Sequence, residues 1–204
     1  MRAPSIIQAM REINRIIFTT KEIAAIRGAS VSTTTQSLAR LEKQGILRKI
    51  LKGLWGVPSD KRFSPLLVIP YLAPHHRSYL SFICALHLHG VISQIPQVIT
   101  VATTAHSKRV KSSIGTFVIH QIAPEFFDGF EWNATEEYLV ATAEKALADC
   151  LYLASRKGRQ YAHFPELDLG HISLRKATAW LRRMRDVRIR KATMSMMKSL
   201  LEKK

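Results

Sequence analysis

Gln36 and Arg40 lie four residues apart in a segment whose apolar positions repeat with helical spacing, which places both side chains on one helix face. In the major groove of DNA, glutamine forms paired hydrogen bonds with adenine, and arginine with guanine. Ser32 and Thr33, at the start of the same helix, can hydrogen-bond to a phosphate or to a base edge. These residue types in this order predict a surface that reads a DNA duplex.

Basic residues extend this surface beyond the helix. Two short apolar-basic runs, 47–50 and 54–57, flank Lys52-Gly53, where glycine permits the positive φ of a tight turn between strands. Lysine is a flexible point charge, so the basic side chains here are expected to contact the phosphate backbone. The predicted DNA contacts are Ser32, Thr33, Gln36, Arg40, Lys43, Arg48, Lys49 and Lys52.

Three helices and a hairpin are expected to position these residues. A helical apolar stripe over residues 6–13 predicts the first helix, and Thr19 or Thr20 is expected to cap a second helix that Gly28 ends. The third helix would pack through the apolar or small residues Val31, Thr34, Leu38 and Leu41. This order predicts a winged helix-turn-helix over residues 1–60. The alternative is an ordinary three-helix domain whose polar face is only hydrated.

Residues 58–62 are typical of a linker, and a second domain is expected over residues 63–204. Its predicted helices cover residues 79–89 and 143–154, with Gly90 ending the first and Thr142 capping the second. Its predicted strands cover residues 98–102, 116–122 and 138–141, the first two joined across a basic turn at 107–109. The expected fold class is α+β, with an N-terminal winged helix-turn-helix and a small mixed α/β domain that ends in basic helices.

The last block, residues 173–201, is predicted to form one or two helices. Its apolar positions, among them Leu181 and Met184, are expected to face inward while the basic residues point elsewhere. This second basic surface either extends the DNA footprint or binds an acidic or nucleic-acid species. Its predicted members are Arg175, Arg182, Arg183, Arg185, Arg188, Arg190 and Lys191.

The distribution of charge supports a polyanion partner. Residues 1–62 hold 12 basic and 4 acidic residues, a net +8, and residues 171–204 hold 11 and 2, a net +9. The middle of the chain, with 8 and 9, is close to neutral.

Two distant cysteines, no secretory signal and no apolar run of membrane-spanning length predict a soluble, cytoplasmic protein that does not contact membranes.

Metal binding and catalysis are not expected. His87 and His89 are two residues apart on a predicted helix, so they cannot share an ion, and they are better explained as buried or capping side chains. The sequence holds no Gly-Ser dipeptide, P-loop or HExxH motif. Glu144 is expected to complement the helix dipole, Lys145 to be solvated and Asp149 to pair with a nearby base. We therefore predict a non-enzymatic protein with no cofactor, no metal and no catalytic residue.

Two further motifs give a family resemblance that spans residues 17–158. The first runs from Ser81 to Thr103 with the pattern S…AL…HG.I.Q.P..I.V.T, and the second from Ala141 to Tyr152 with the pattern ATxEKALxDxLY. Together with the turn Lys52-Gly53-Leu54-Trp55, they resemble the AbiEi-type antitoxins of bacterial abortive-infection, type IV toxin–antitoxin systems. In that family a winged helix-turn-helix precedes an α/β domain.

The resemblance implies a repressor of its own operon, binding double-stranded DNA at inverted repeats. It also implies an antitoxin that opposes a co-encoded nucleotidyltransferase-like toxin without forming a stable complex with it. Two alternatives remain open: a stand-alone winged-helix regulator, and an interaction module that binds an acidic protein partner.

Overall fold

The structure is a computed structural model that describes residues 5–133, 137–157 and 166–202. Its contacts divide the chain into two compact units, one of Met1–Val68 with Lys111–Gly115 and the other of Ile69–Val110 with Thr116–Lys204. The domain division expected at residues 60–63 stays a prediction.

The first unit combines helices with a small antiparallel sheet, in which β3 lies between β1 and β2. Its core is a cluster of buried side chains in which Phe18, Ile23, Leu38 and Trp55 meet. The elements are α1 (Ile6–Ile13), β1 (Ile17–Thr19), α2 (Thr20–Arg27), α3 (Val31–Lys43), β2 (Arg48–Leu51) and β3 (Leu54–Gly56).

Local capping sets the helix boundaries of this unit. Thr19 caps α2 with a complete capping box, because its hydroxyl accepts from the Glu22 backbone N–H while the Glu22 carboxylate accepts from the Thr19 backbone N–H. Gly28 ends α2 with φ of +58°, a conformation that favours glycine. Both caps agree with the sequence expectation. Ser5 caps α1, because its hydroxyl accepts from the Gln8 backbone N–H at 3.2 Å.

The second unit contains a mixed sheet covered by helices. The strand order is β6-β7-β5-β4-β9-β8, and α5 packs against α4, α6 and α7. The strands are β4 (Ser78–Leu80), β5 (Ile99–Thr103), β6 (Lys108–Ser112), β7 (Gly115–Gln121), β8 (Phe130–Asn133) and β9 (Tyr138–Ala141). The helices are α4 (Phe82–Leu88), α5 (Ala143–Lys157), α6 (Leu174–Arg182) and α7 (Val187–Glu202). The α+β fold class expected from the sequence is confirmed.

Two predictions about this sheet are wrong. The expected helix over residues 79–89 begins only at Phe82, because Tyr79 and Leu80 belong to β4 in the middle of the sheet. The expected basic turn at residues 107–109 is instead the entry to β6, and β7 pairs with β5 in parallel rather than across a hairpin. An apolar run such as residues 79–83 has no periodicity that separates a buried strand from a buried helix.

The passage from β4 to α4 is unusually abrupt. Only Ser81 separates the two elements, and Phe82, the first helical residue, has φ of +58° while its side chain is buried. A left-handed conformation is uncommon for a bulky residue. The surrounding packing therefore holds this turn in place.

Within the described residues, no helix has both the length and the apolar character needed to cross a membrane.

Candidate nucleic-acid interface

The recognition helix, α3, begins at a well-formed cap. The Ser30 hydroxyl accepts a hydrogen bond from the Thr33 backbone N–H at 3.1 Å and donates to the Thr33 hydroxyl at 2.9 Å. This cap fixes the Thr33 side chain at the helix start and leaves its hydroxyl proton free to point outward. The first turn of α3 therefore presents positioned polar groups together with the positive end of the helix dipole.

The two faces of α3 differ sharply. Thr34, Leu38 and Leu41 are buried in the core of the first unit. All five predicted contacts on the helix are exposed, namely Ser32, Thr33, Gln36, Arg40 and Lys43. The prediction that Val31 packs inward is wrong. Val31 lies in the first turn of α3, outside the core, and is 49% exposed.

The wing, which comprises β2, β3 and the turn Lys52-Gly53, is fastened to both helices of the helix-turn-helix. The Trp55 indole N–H donates to the Thr20 hydroxyl of α2 at 2.8 Å, and the Thr20 backbone N–H donates to the Gly53 carbonyl at 2.9 Å. On the α3 side, the Lys49 backbone N–H donates to the Glu42 carboxylate at 3.1 Å. The wing is therefore held at a fixed position beside the recognition helix.

Among the described residues, the basic side chains of this surface are not paired with carboxylates. Arg48, Lys49 and Lys52 are exposed on the wing, and Gly53 supplies the turn with φ of +74°. The Lys49 ammonium lies 5.8 Å from the Trp55 ring centroid. In the part of the chain that the structure describes, none of the basic contacts forms a salt bridge with the protein, which holds for Arg40, Lys43, Arg48, Lys49 and Lys52. Unpaired cations on a fixed surface suit a phosphate backbone.

The second basic surface, on α6, α7 and the turn between them, is only partly as expected. Arg183 is exposed, but its charge is paired within the protein. Its guanidinium forms a salt bridge with Asp128 at 3.1 Å and lies 4.4 Å from the Trp180 ring centroid. Arg190 is half-buried and donates to the Met184 carbonyl at 3.0 Å, so it serves the turn between the helices. The remaining five are exposed and form no salt bridge among the described residues: Arg175, Arg182, Arg185, Arg188 and Lys191.

A buried polar cluster joins α5 to β4. The Lys145 ammonium pairs with the Asp149 carboxylate and lies 3.0 Å from the Tyr79 hydroxyl, which donates to Asp149 at 2.9 Å. The Ser81 hydroxyl donates to the same carboxylate at 2.7 Å, and the Phe126 ring centroid lies 3.9 Å from the ammonium. The expectation that Lys145 is solvated is wrong, since its side chain is fully buried. The expected pairing of Asp149 with a base is confirmed.

Burial shifts the pKa of Lys145 and of Tyr79 in this cluster. Loss of solvent lowers the pKa of Lys145 below its ordinary value, although Asp149 favours the charged form. Loss of solvent and the Asp149 charge raise the pKa of Tyr79 well above its ordinary value. Lys145 and Asp149 are four residues apart on a helix, a spacing at which side chains of opposite charge can pair. Only the tertiary structure shows that the pair is buried.

The histidines make local hydrogen bonds rather than a shared site. His89 Nε2 lies 2.7 Å from the Ala141 carbonyl oxygen, His87 Nδ1 lies 3.2 Å from that of Ile92, and His76 Nδ1 lies 2.9 Å from the Thr104 hydroxyl. Over residues 5–133, 137–157 and 166–202, no group of three or more histidine, cysteine or carboxylate side chains has an arrangement that could hold a metal ion.

A three-helix core, a fixed wing and an exposed polar recognition helix define the first unit as a winged helix-turn-helix. Residues 3–64 match the model of a family described as the Firmicute plasmid replication protein (RepL), which has a winged-helix-like DNA-binding fold. The match covers less than a third of the chain and ends near the close of the first unit. No curated protein matches the chain. Fold and family match together indicate a DNA-binding regulatory protein.

Proposed function

We propose that this protein is a transcriptional autorepressor that binds inverted repeats near its own promoter. The observation that supports the proposal most strongly is the exposure of all eight predicted contacts on one winged helix-turn-helix, with Gln36 and Arg40 on the open face of α3. Gln36 and Arg40 would read bases, whereas the lysines on either side would bind phosphates.

The test is binding to the DNA upstream of the gene, compared with a scrambled duplex of equal length, by fluorescence anisotropy at several salt concentrations. We expect tighter binding to the upstream DNA and an affinity that falls steeply with salt, because each neutralised phosphate contributes about −0.9 to the slope of log K against log salt. Equal affinity for both duplexes, or affinity independent of salt, would contradict the proposal.

The protein also acts, on this proposal, as the antitoxin of a type IV toxin–antitoxin system and opposes a nucleotidyltransferase-like toxin without a stable complex. The two AbiEi-like motifs support this role, because their polar residues meet in one place: Ser81 of the first motif donates to Asp149 of the second. This contact joins the two motifs, which are distant in sequence, in the folded protein.

Co-expression with the product of the adjacent gene tests the antitoxin role. We expect the toxin alone to arrest growth, the protein to restore growth, and the two proteins to separate during purification. A neighbouring gene that is not nucleotidyltransferase-like would favour the stand-alone regulator. Co-purification at high salt would favour an interaction module.

The five basic residues of α6, α7 and the turn between them that form no salt bridge among the described residues are proposed to serve one of these two activities. A variant with Arg182, Arg185 and Arg188 changed to glutamate separates them. If repression survives and toxin neutralisation fails, the second basic surface serves the toxin-opposing role; if promoter binding weakens, it extends the DNA footprint. Because these side chains are exposed, the variant is expected to fold.

We propose further that the protein acts by binding and not by catalysis. The sequence lacks the Gly-Ser turn that a nucleotidyltransferase of the partner type would need to hold a nucleotide phosphate. Transfer of a nucleotide by the purified protein in the presence of Mg²⁺ would overturn this proposal.

A further inference from the structure

A cavity of about 430 Å³ opens in the second unit where the first residues of β8 and α5 face α6. Its walls include the aromatic side chains of Phe130 and Trp180, the carboxylates of Glu131 and Glu144, and the cations of Lys176 and Arg183. The volume is in the range of small-molecule sites, and the lining combines flat apolar surfaces with hydrogen-bonding groups of both charges.

The Trp180 ring of the aromatic wall is packed against several side chains, and the Lys145 ammonium lies 5.7 Å from its centroid. Trp180 meets the buried ring of Phe126 edge-on at 6.3 Å between centroids. Its ring also lies so close to Gly129 that a Cβ on that residue would come within 2.4 Å of it. The Arg183 guanidinium covers Trp180 and is itself fixed by Asp128. A planar ligand would therefore find a preformed aromatic and guanidinium wall, at little cost in conformational entropy.

The carboxylates are positioned but not saturated. One oxygen of Glu144 accepts from the Ser173 backbone N–H at 3.2 Å, and within the described residues the second oxygen accepts no hydrogen bond. Glu131 is exposed and forms no salt bridge within the described residues. Two acceptor groups therefore lie at the cavity, where the amino group of a nucleobase could donate to them.

The rim adjoining α6 is cationic. Lys176 lines the cavity, is exposed and forms no salt bridge within the described residues. Two other basic residues of α6, Arg175 and Arg182, are also exposed and without a salt bridge in that part of the chain. Unpaired cations beside an aromatic pocket are the combination that binds single strands, since the charges follow the phosphates while a base stacks on a flat side chain.

We infer that this cavity binds an unpaired nucleotide that carries an amino-bearing base. The base lies against the Trp180 and Arg183 wall, its amino group donates to Glu131 or Glu144, and its phosphate lies at the basic rim. The inference is independent of the duplex-binding function proposed for α3 and the wing. Its ligand is either a free nucleotide or part of a single strand of RNA or DNA.

The experiment measures binding of four fluorescent probes by anisotropy: cytidine monophosphate, ten-residue single strands of C in RNA and in DNA, and a duplex of the upstream sequence. The variants are Glu131→Ala and Lys176→Glu in the cavity, Lys52→Ala on the wing, and a charge control, Lys198→Glu, at an exposed residue of α7 that pairs with Glu202 at 3.9 Å.

We expect at least one non-duplex probe to bind. Lys176→Glu should weaken that binding tenfold or more and Glu131→Ala at least threefold, with duplex affinity unchanged. Lys52→Ala should have the opposite pattern. The probe that binds most tightly distinguishes free nucleotide, RNA and DNA as sources. Failure of all three non-duplex probes, or an equal loss for Lys176→Glu and Lys198→Glu, would overturn the inference without affecting the duplex proposal.

Discussion

The Lys49 backbone N–H, on the first strand of the wing, donates to the Glu42 carboxylate near the end of α3 at 3.1 Å. A negative charge on a surface that otherwise carries cations opposes DNA binding by Coulomb repulsion. The hydrogen bond gives that charge a structural purpose, because it sets the distance between the wing and the recognition helix. We therefore expect the Glu42 charge to lower the affinity for DNA and the Glu42 hydrogen bond to increase sequence specificity.

Two variants of Glu42 separate these effects. Glu42→Gln keeps an oxygen acceptor but removes the charge, so we expect tighter binding to promoter and scrambled DNA alike. Glu42→Ala also removes the acceptor, and discrimination between the two duplexes should fall because the wing loses its tie to α3. The measurement is the ratio of the two dissociation constants; an unchanged ratio in Glu42→Ala would show that the tie has no role in specificity.

Arg40→Ala is expected to relax sequence preference. If Arg40 forms a paired contact with guanine, its loss should cost about 1–3 kcal/mol on promoter DNA and much less on scrambled DNA. Arg11→Ala, which removes an exposed arginine of α1, is the matched control. Competition titrations with both duplexes give the answer. Equal losses on both would assign Arg40 to the phosphate backbone.

Lys52→Ala is expected to weaken binding to every duplex by a similar factor. The Lys52 side chain is exposed at the wing turn and forms no salt bridge in the described residues, so its charge is free to neutralise one phosphate. The slope of log K against log salt should then become shallower by about one unit. An unaltered slope would place Lys52 outside the contact surface.

The buried pair of Lys145 and Asp149 should respond strongly to loss of either partner. Lys145→Met leaves a buried carboxylate without its cation, which typically costs about 3–5 kcal/mol of unfolding free energy. The double variant Lys145→Met with Asp149→Leu should recover part of that loss, because it removes the buried charge but leaves the Tyr79 and Ser81 hydroxyls without their acceptor. Urea denaturation of the single and double variants measures the coupling. Additive losses would show that the two side chains act independently.

Neither thiol should react readily in the folded protein. Burial raises the pKa of Cys84, and burial together with the nearby Asp149 charge raises the pKa of Cys150 well above its ordinary value. A raised pKa leaves less thiolate at pH 8, and thiolate is the reactive form. We expect slow modification by a disulfide reagent, slower at Cys150, and rapid modification of both in denaturant. Fast labelling of Cys150 in buffer would contradict this arrangement.

The amino-terminal elements were predictable because their signals are local. Capping residues such as Thr19, the glycine at 28 and the apolar spacing within α3 depend on neighbours a few residues away. The strand β1 was missed, since residues 17–19 become a strand only by pairing with β3, almost forty residues later. Long-range pairing leaves no mark in a short window of sequence.

The second unit shows the same limit at the level of side chains. The motif that contains Lys145 is visible in the sequence, but the burial of Lys145 follows from the aromatic rings of Tyr79 and Phe126, which lie on other elements. The cavity beside α6 was not anticipated either. It depends on Gly129, which lets the Trp180 ring lie close although the two residues are more than fifty positions apart in sequence.

Few residues other than phenylalanine are expected to be tolerated at position 82. Glycine would relieve the left-handed backbone at that position but would leave the volume of a benzyl group empty beneath the sheet. Any other side chain would keep the backbone strain, which is about 1–3 kcal/mol, and most would also fit the space less well. Substitution at position 82 is therefore opposed both by lost packing volume and by backbone strain. A library that randomises this position should return phenylalanine far more often than chance.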